Sequence, residues 1–256
     1  MGSKQSRTSL SKKQALEERR KKEQKKRLRL VLAILGGVVL LVLAVVLINN
    51  SITKSKAASL GDIIQITPVA HPLADDNKMG DPNAPVKIVE YSDYQCPYCK
   101  DFADQTLRAI VDAYIATGKV HFTSRSMGNF VSQNIGTGGT ESRDAAEAAY
   151  CAADQEMFWE FSQAAYANWK GEEVGSFSSQ RLNEIAQSIS LDMDLFTKCM
   201  KDHTNRDRVN QDYSDGLAAG INATPSFLIN GKLIPGALPF ASFQKEIEAA
   251  LAAAGN

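Results

Sequence analysis

The chain has 256 residues, a formal net charge of zero, 44% apolar residues and 23% charged residues. These totals exclude a collagen-like chain, a fully disordered chain and a multi-span membrane protein. The zero is a sum of two opposite parts: residues 1–29 hold twelve Lys/Arg and three acids, a net of +9, and the remainder carries −9.

Residues 1–29 read as a basic cytoplasmic tail. Leu30 to Ile48 follow with nineteen residues and no charge. A helix of that length rises about 28 Å, close to the ~30 Å hydrocarbon core, so one N-terminal transmembrane helix is expected over 30–48. Positive charge ahead of the span puts the N-terminus in the cytoplasm and the C-terminal bulk outside the membrane. The rival is a cleaved signal peptide, with a small-x-small site at Ser55-Lys56-Ala57. Signal peptides usually have apolar regions of about 7–15 residues, shorter than this one. The tail has no aromatics on which bases could stack and abuts the apolar run, so it reads as an orientation signal. No nucleic-acid partner is expected.

Residues 49–78 read as a polar linker, with a short apolar alternation at Ile63, Ile64 and Ile66 that suits an added edge strand. Residues 79–256 form one block, long enough for a good core. In it, Val86 to Tyr91 reads as a strand and Pro97 to about Ala116 as a helix, with Phe102, Leu107, Ile110, Val111 and Ile115 at helical spacing. Gly118 stops the helix and Val120 to Arg125 is a second strand, which makes a βαβ unit with parallel strands. A loop spans Gly128 to Thr140, and about 141–219 reads as a helical block. Its helices are an Ala-rich one from Glu141 to about Asn168, one over Ser179–Ile189, one capped by Asp192 and one ending at Gly220. Ser226–Ile229, the Asn230-Gly231 turn and Lys232–Ile234 read as a hairpin, and a last helix covers about Ala241 to Ala254. The class is α/β.

The chemistry lies in Cys96-Pro97-Tyr98-Cys99, a C-x-x-C at a strand-to-helix junction. A helix N-terminus presents unpaired N–H groups and the positive end of the dipole, which stabilise a thiolate. Pro97 suits the first helical position because its missing N–H would have been unpaired there. Cys96 is expected to be the exposed attacking thiolate and Cys99, one turn in, the more buried resolving thiol.

The segments VKIVEYSDYQCPYC (86–99) and TPSFLINGKLIPG (224–236), with the helical insertion between them, resemble the DsbA-like branch of the thioredoxin superfamily. That resemblance implies a thioredoxin fold with an inserted helical domain, and thiol–disulfide oxidoreductase activity on extracytoplasmic proteins. It implies a dithiol oxidase that acts on exported proteins with free thiols, is reoxidised by a membrane-embedded partner and needs no cofactor or metal besides its cysteines. By position Cys96 matches the nucleophile, Cys99 its buried partner, Pro225 the cis-proline and Glu90 the buried acid six residues before the first cysteine. Two positions depart from the strongest oxidants of the family. Tyr98 stands where they carry His, and Thr224 where several carry Val. Loss of the His removes one stabiliser of the thiolate, so a potential less oxidising than about −120 mV is expected. A reductase or isomerase on the same fold, and an anchored peptide-binding module without turnover, remain alternatives.

Cys151 and Cys199 fall in the helical block, where the resemblance implies a second, structural disulfide. Two free buried thiols, or a zinc site using all four cysteines, are the other readings. Lys87 is a candidate partner for Glu90, and Asp93 and Tyr94 read as surface rim. Phe158, Trp159 and Phe161 read as core, with Trp169 closing the same cluster. His71, His121 and His203 are scattered and read as surface or satisfied side chains.

Overall fold

The structure is a computed structural model. It describes residues 60–255, together with 25–27, 32 and 35–46. The chain divides into two compact units, residues 1–53 and 54–256. In the first, residues 35–46 are helical. The rest of the predicted span at 30–48, most of the basic tail and the Ser55–Ala57 cleavage site lie outside the described residues. Among the described residues no helix is long and apolar enough to cross a membrane.

The second unit is built on a five-stranded sheet in the order β1-β3-β2-β4-β5. Its strands are β1 (Lys78–Met79), β2 (Val86–Ser92), β3 (Val120–Ser126), β4 (Ser226–Ile229) and β5 (Lys232–Pro235). Val86, Ile88, Val120 and Phe122 are all buried, and Ile88 pairs with Phe122 in a parallel β2–β3 register. This is the expected βαβ unit. β4 runs antiparallel to β2, and Asn230 and Gly231, both at positive φ, turn it back into β5.

The crossover helix, α1, starts as Pro97–Phe102 and continues through the π-helical turns Ala103–Leu107 and Val111–Ile115, with α-helical Arg108–Ile110 between them. Its Phe102 packs on Phe227 of β4 (centroids 4.5 Å apart) and Phe243 (5.4 Å), which belongs to the last helix, α8 (Phe240–Ala254). The inserted block comprises α2 (Phe130–Asn134), α3 (Glu141–Ala153), α4 (Phe158–Ala167), α5 (Ser179–Ser188), α6 (Met193–Asp202) and α7 (Arg206–Ala218). Asp192 caps α6 as expected, its carboxylate accepting from the N–H groups of Asp194 and Leu195. Gly216 lets α7 approach the sheet closely, since a Cβ there would stand 2.5 Å from Met127 Sδ and 3.0 Å from the Tyr91 ring.

Three elements differ from the sequence reading. The Ala-rich segment is two helices, because the chain turns at Asp154–Met157 with Glu156 left-handed (φ 62°) and no Gly or Pro to signal it. The loop after β3 contains the short helix α2. Ile63–Ile66 is no strand; the added edge strand is β1, antiparallel to β3. Instead the Asn168 side chain holds both backbone groups of Ile64, accepting from its N–H (2.8 Å) and donating to its carbonyl (3.0 Å). Nearby, Arg181 donates to the Gly61 carbonyl and Gln163 to that of Thr67. The segment read as linker therefore lies fastened along α4 and α5 from residue 61 onward.

Cys151 of α3 and Cys199 of α6 form a disulfide across 48 residues, with their Cα atoms 5.9 Å apart. They are therefore not available with Cys96 and Cys99 as one zinc ligand set. In the chain-entropy account, closing a loop of this size stabilises by about 3–4 kcal/mol. Replacing both residues with Ala is expected to lower the unfolding free energy by about that amount in urea titrations, while leaving the reactivity of Cys96 as it was.

Candidate active site

Cys96 is the N-cap residue of α1, with extended backbone (φ −71°, ψ 121°), and Pro97 fills the first turn. The Cys96 carbonyl takes the N–H groups of Cys99 (3.1 Å) and Lys100 (3.2 Å), so the helix begins under the first sulfur. The peptide bond Thr224–Pro225 is cis, and the Thr224 carbonyl lies 3.2 Å from Cys96 Sγ. That close loop explains why Cys96 is recessed, at 5% exposure, and not prominent as a bare helix end would leave it. Tyr98, 64% exposed, stands on the rim. Cys99 is fully buried, and both thiols are free.

The two sulfurs have opposite electrostatics. The Cys99 thiol donates to Cys96, and the Thr224 hydroxyl and the N–H groups of Cys99 and Tyr98 add to it, so the Cys96 thiol is brought down to about 6 despite partial burial. Burial and the neighbouring Cys96 charge push Cys99 well above the usual thiol range. At neutral pH the pair holds one thiolate, at the reachable sulfur. Alkylation of the reduced protein by iodoacetamide is expected to be half-maximal near pH 6 at Cys96, with Cys99 silent through pH 8 in mass-spectrometric mapping.

Glu90 is buried on β2, a strand between two others and so not a sheet edge. Burial raises its carboxyl to about 8, against a hydrogen bond from Ser124 Oγ at 3.2 Å. Its charge is felt at Cys99, and that of Cys96 is felt at Glu90. Lys87 does not pair with it. Three residues along a strand is an odd step, so the two side chains leave opposite faces, and Lys87 Nζ donates to the Pro82 carbonyl instead.

Asp93 and Tyr94 are buried, contrary to the surface reading. Asp93 is a second acid at the site. Its carboxylate accepts from Gln95 N and Val131 N, each at 2.9 Å, and its own N–H reaches Cys99 Sγ at 3.4 Å. Burial raises it to about 7. A signal existed in the sequence, since an Asp two residues before a free N–H is an Asx-turn former. Tyr94 OH shares a 2.6 Å hydrogen bond with Ser162. Trp169 does not simply extend the aromatic core: its Nε1–H donates to the Gln95 carbonyl, fixing the active-site turn to the helical block. Nothing in the sequence marks that role.

The structure thus brings together Cys96, Pro97, Tyr98, Cys99, Glu90, Thr224 and Pro225, and leaves Cys151 and Cys199 in the helical block. Among the described residues no group of three or more His, Cys, Asp or Glu is placed to hold a metal ion.

The chain is similar to the Na(+)/H(+) antiporter NhaA 1 of Mycobacterium sp. (strain KMS), 30% identical over 176 residues, 68% of this chain and 26% of that one. It spans about a quarter of the length of the curated antiporters it matches, 22% of one from Salinispora tropica. It is 26% identical over 191 residues to the "Probable disulfide bond formation protein D" of Bacillus cereus, covering 68% of this chain and 86% of that one. Its fold is similar to that of oxidised BdbD from Bacillus subtilis, with a TM-score of 0.60, 24% identity and coverage of 75% of this chain and 100% of that one. The family model described as thioredoxin matches residues 74–249, from before β1 to within α8, so the sheet, both cysteines and the proline facing them fall inside one match. On that match the chain belongs to the thioredoxin family, with a helical block between β3 and β4 of the fold.

Proposed function

We propose that this chain is an extracytoplasmic thiol–disulfide oxidoreductase, working as a dithiol oxidase that introduces disulfides into exported proteins. One arrangement carries the reading: Cys96 caps α1 beside the cis Thr224–Pro225 bond with its thiol brought down to about 6, while Cys99 behind it is fully buried with its thiol pushed up. Stabilising the thiolate stabilises the reduced form, and a stabilised reduced form makes the disulfide a better oxidant. The relative named for disulfide bond formation, matched over most of its length, supports the same direction.

In the forward cycle a client thiolate attacks Cys96 of the Cys96–Cys99 disulfide. The electron pair of the S–S bond leaves on Cys99, which takes a proton from Glu90. The client's second thiolate then attacks the mixed disulfide, forming the client disulfide and releasing Cys96 as a thiolate. Pro225 and Thr224 border the place where the client chain lies, and Tyr98 stands beside it. A membrane-embedded redox partner reoxidises the pair. Residues 30–48 anchor the domain near it, with the N-terminus in the cytoplasm and the catalytic unit outside, which raises their effective concentration.

The test is the equilibrium potential of the Cys96/Cys99 pair against glutathione, with the second disulfide intact. An oxidase is expected to lie between about −120 mV and −200 mV, and a value near thioredoxin's, about −270 mV, overturns the oxidising direction. Tyr98 in place of His favours the lower end of that window. A value near about −180 mV, joined to refolding of a scrambled client, selects an isomerase instead.

A further inference from the structure

Asp93 follows the last residue of β2, one step beyond the Ser92–Ser126 rung that ends the parallel ladder with β3. Its N–H is therefore not spent on the sheet, and it points at Cys99 Sγ, 3.4 Å away. Cys99 is fully buried, and this peptide group favours its charged form against the burial and the neighbouring Cys96 charge. The direction of that N–H is fixed by the rest of the residue. The Asp93 carbonyl accepts from Cys96 N at 3.0 Å, closing a turn over 93–96. Its Oδ1 accepts from Gln95 N inside the same turn and its Oδ2 from Val131 N of α2, each at 2.9 Å. The Ser142 hydroxyl of α3 adds a third bond to the carboxylate. Asp93 is 1% exposed, so bulk water does not compete for these bonds. With both oxygens engaged as acceptors, the carboxylate clamps the turn, and proton transfer falls to Glu90.

We propose that Asp93 is a positioning residue for the leaving sulfur: its carboxylate locks the turn before Cys96 so that its own N–H meets the charge developing on Cys99. This rests on the redox reading above. As the attacking thiolate bonds to Cys96 Sγ, the Cys96–Cys99 bond breaks and its electron pair passes to Cys99. A donor already in place stabilises that charge at the transition state, before the proton from Glu90 arrives. The disulfide before and the thiol after are both neutral at Cys99. The N–H therefore lowers the barrier in both directions and leaves the equilibrium where it was.

The full-length chain in mild detergent tests this by rapid reduction with dithiothreitol and reclosing with its oxidised form. Mass mapping of the Cys96 and Cys99 thiols keeps Cys151 and Cys199 out of the count. Asp93→Ala is expected to slow opening and reclosing by the same factor, on the order of tenfold, with the equilibrium potential and the iodoacetamide rate at Cys96 unchanged. Asp93→Asn keeps an acceptor for Gln95 N and loses only the charge, so its rates are expected within about threefold of wild type. Asp93→Ser keeps a weaker turn acceptor and is expected to fall between the two; it carries the test where the Ala variant does not fold. Wild-type rates in the Ala or Ser variant overturn the proposal. So does a slowing joined to a shifted potential or altered Cys96 alkylation, which is loss of the site as a whole. An Asn variant as slow as the Ala variant overturns it too, because Asp93 is then the proton donor. A wild-type disulfide that neither opens nor reforms overturns the redox reading instead, so the two failures are distinct.

Discussion

Cys96→Ser is expected to reduce thiol oxidation to background, a loss of more than about 10³-fold, while Cys99→Ala is expected to trap client proteins on Cys96. The asymmetry follows from burial. The first sulfur retains a little exposure and its thiolate is stabilised; the second is fully buried and stays protonated, so a client reaches only Cys96. With Cys99 absent, the mixed disulfide has no internal thiol to resolve it. The Cys99→Ala thiol is also expected to titrate higher than in the wild type, since the Cys99 hydrogen bond is the largest cause of its depression. Non-reducing gels of cells carrying each variant read the first outcome and iodoacetamide kinetics the second. An absence of mixed disulfides with Cys99→Ala would mean that the domain holds peptides without turnover.

Glu90→Gln is expected to slow opening of the disulfide by on the order of 10²-fold, because Cys99 then leaves into an apolar site with no acid to protonate it. The same substitution should stabilise the fold at alkaline pH. The folded-state pKa of Glu90 is raised from 4.5 to about 8 by burial. A raised carboxyl contributes its stability below the unfolded value of 4.5, and that contribution is lost as pH rises through about 8. Gln never charges, so the advantage of the variant over wild type should grow between those limits, by on the order of 2–4 kcal/mol. Urea midpoints at pH 5 and pH 8 measure it, and an equal difference at both would mean that Glu90 ionises normally.

Much of this site was legible in the residues alone. The C-x-x-C at a strand-to-helix junction pointed to the two thiols at the start of α1, and the strand pattern around Glu90 and the turn at Asn230-Gly231 pointed to the sheet beside them. What escaped depends on contacts distant in sequence. Asp93 is buried by α2, whose Val131 N–H it accepts 38 residues away. Cys96 is recessed by a loop 128 residues away. The break after α3 is made by a left-handed Glu156, a residue type that rarely announces such a turn. The fastening of residues 61–71 depends on Asn168, Gln163, Arg181 and Trp159, each an ordinary helical-block residue until the segment lies against it.

The ends of the sheet bear on how a domain with the proposed function would avoid pairing with the extended chains it meets. One edge, β1, is only two residues long. The other, β5, opens on Lys232, held by Glu246, and closes on Pro235, which has no N–H to offer. Short, charged and proline-bearing edges are poor templates for strand addition. Under the proposed function, extended segments of a client are thereby turned away from both margins of the sheet and left to meet the surface beside Cys96, Tyr98 and the Thr224–Pro225 turn.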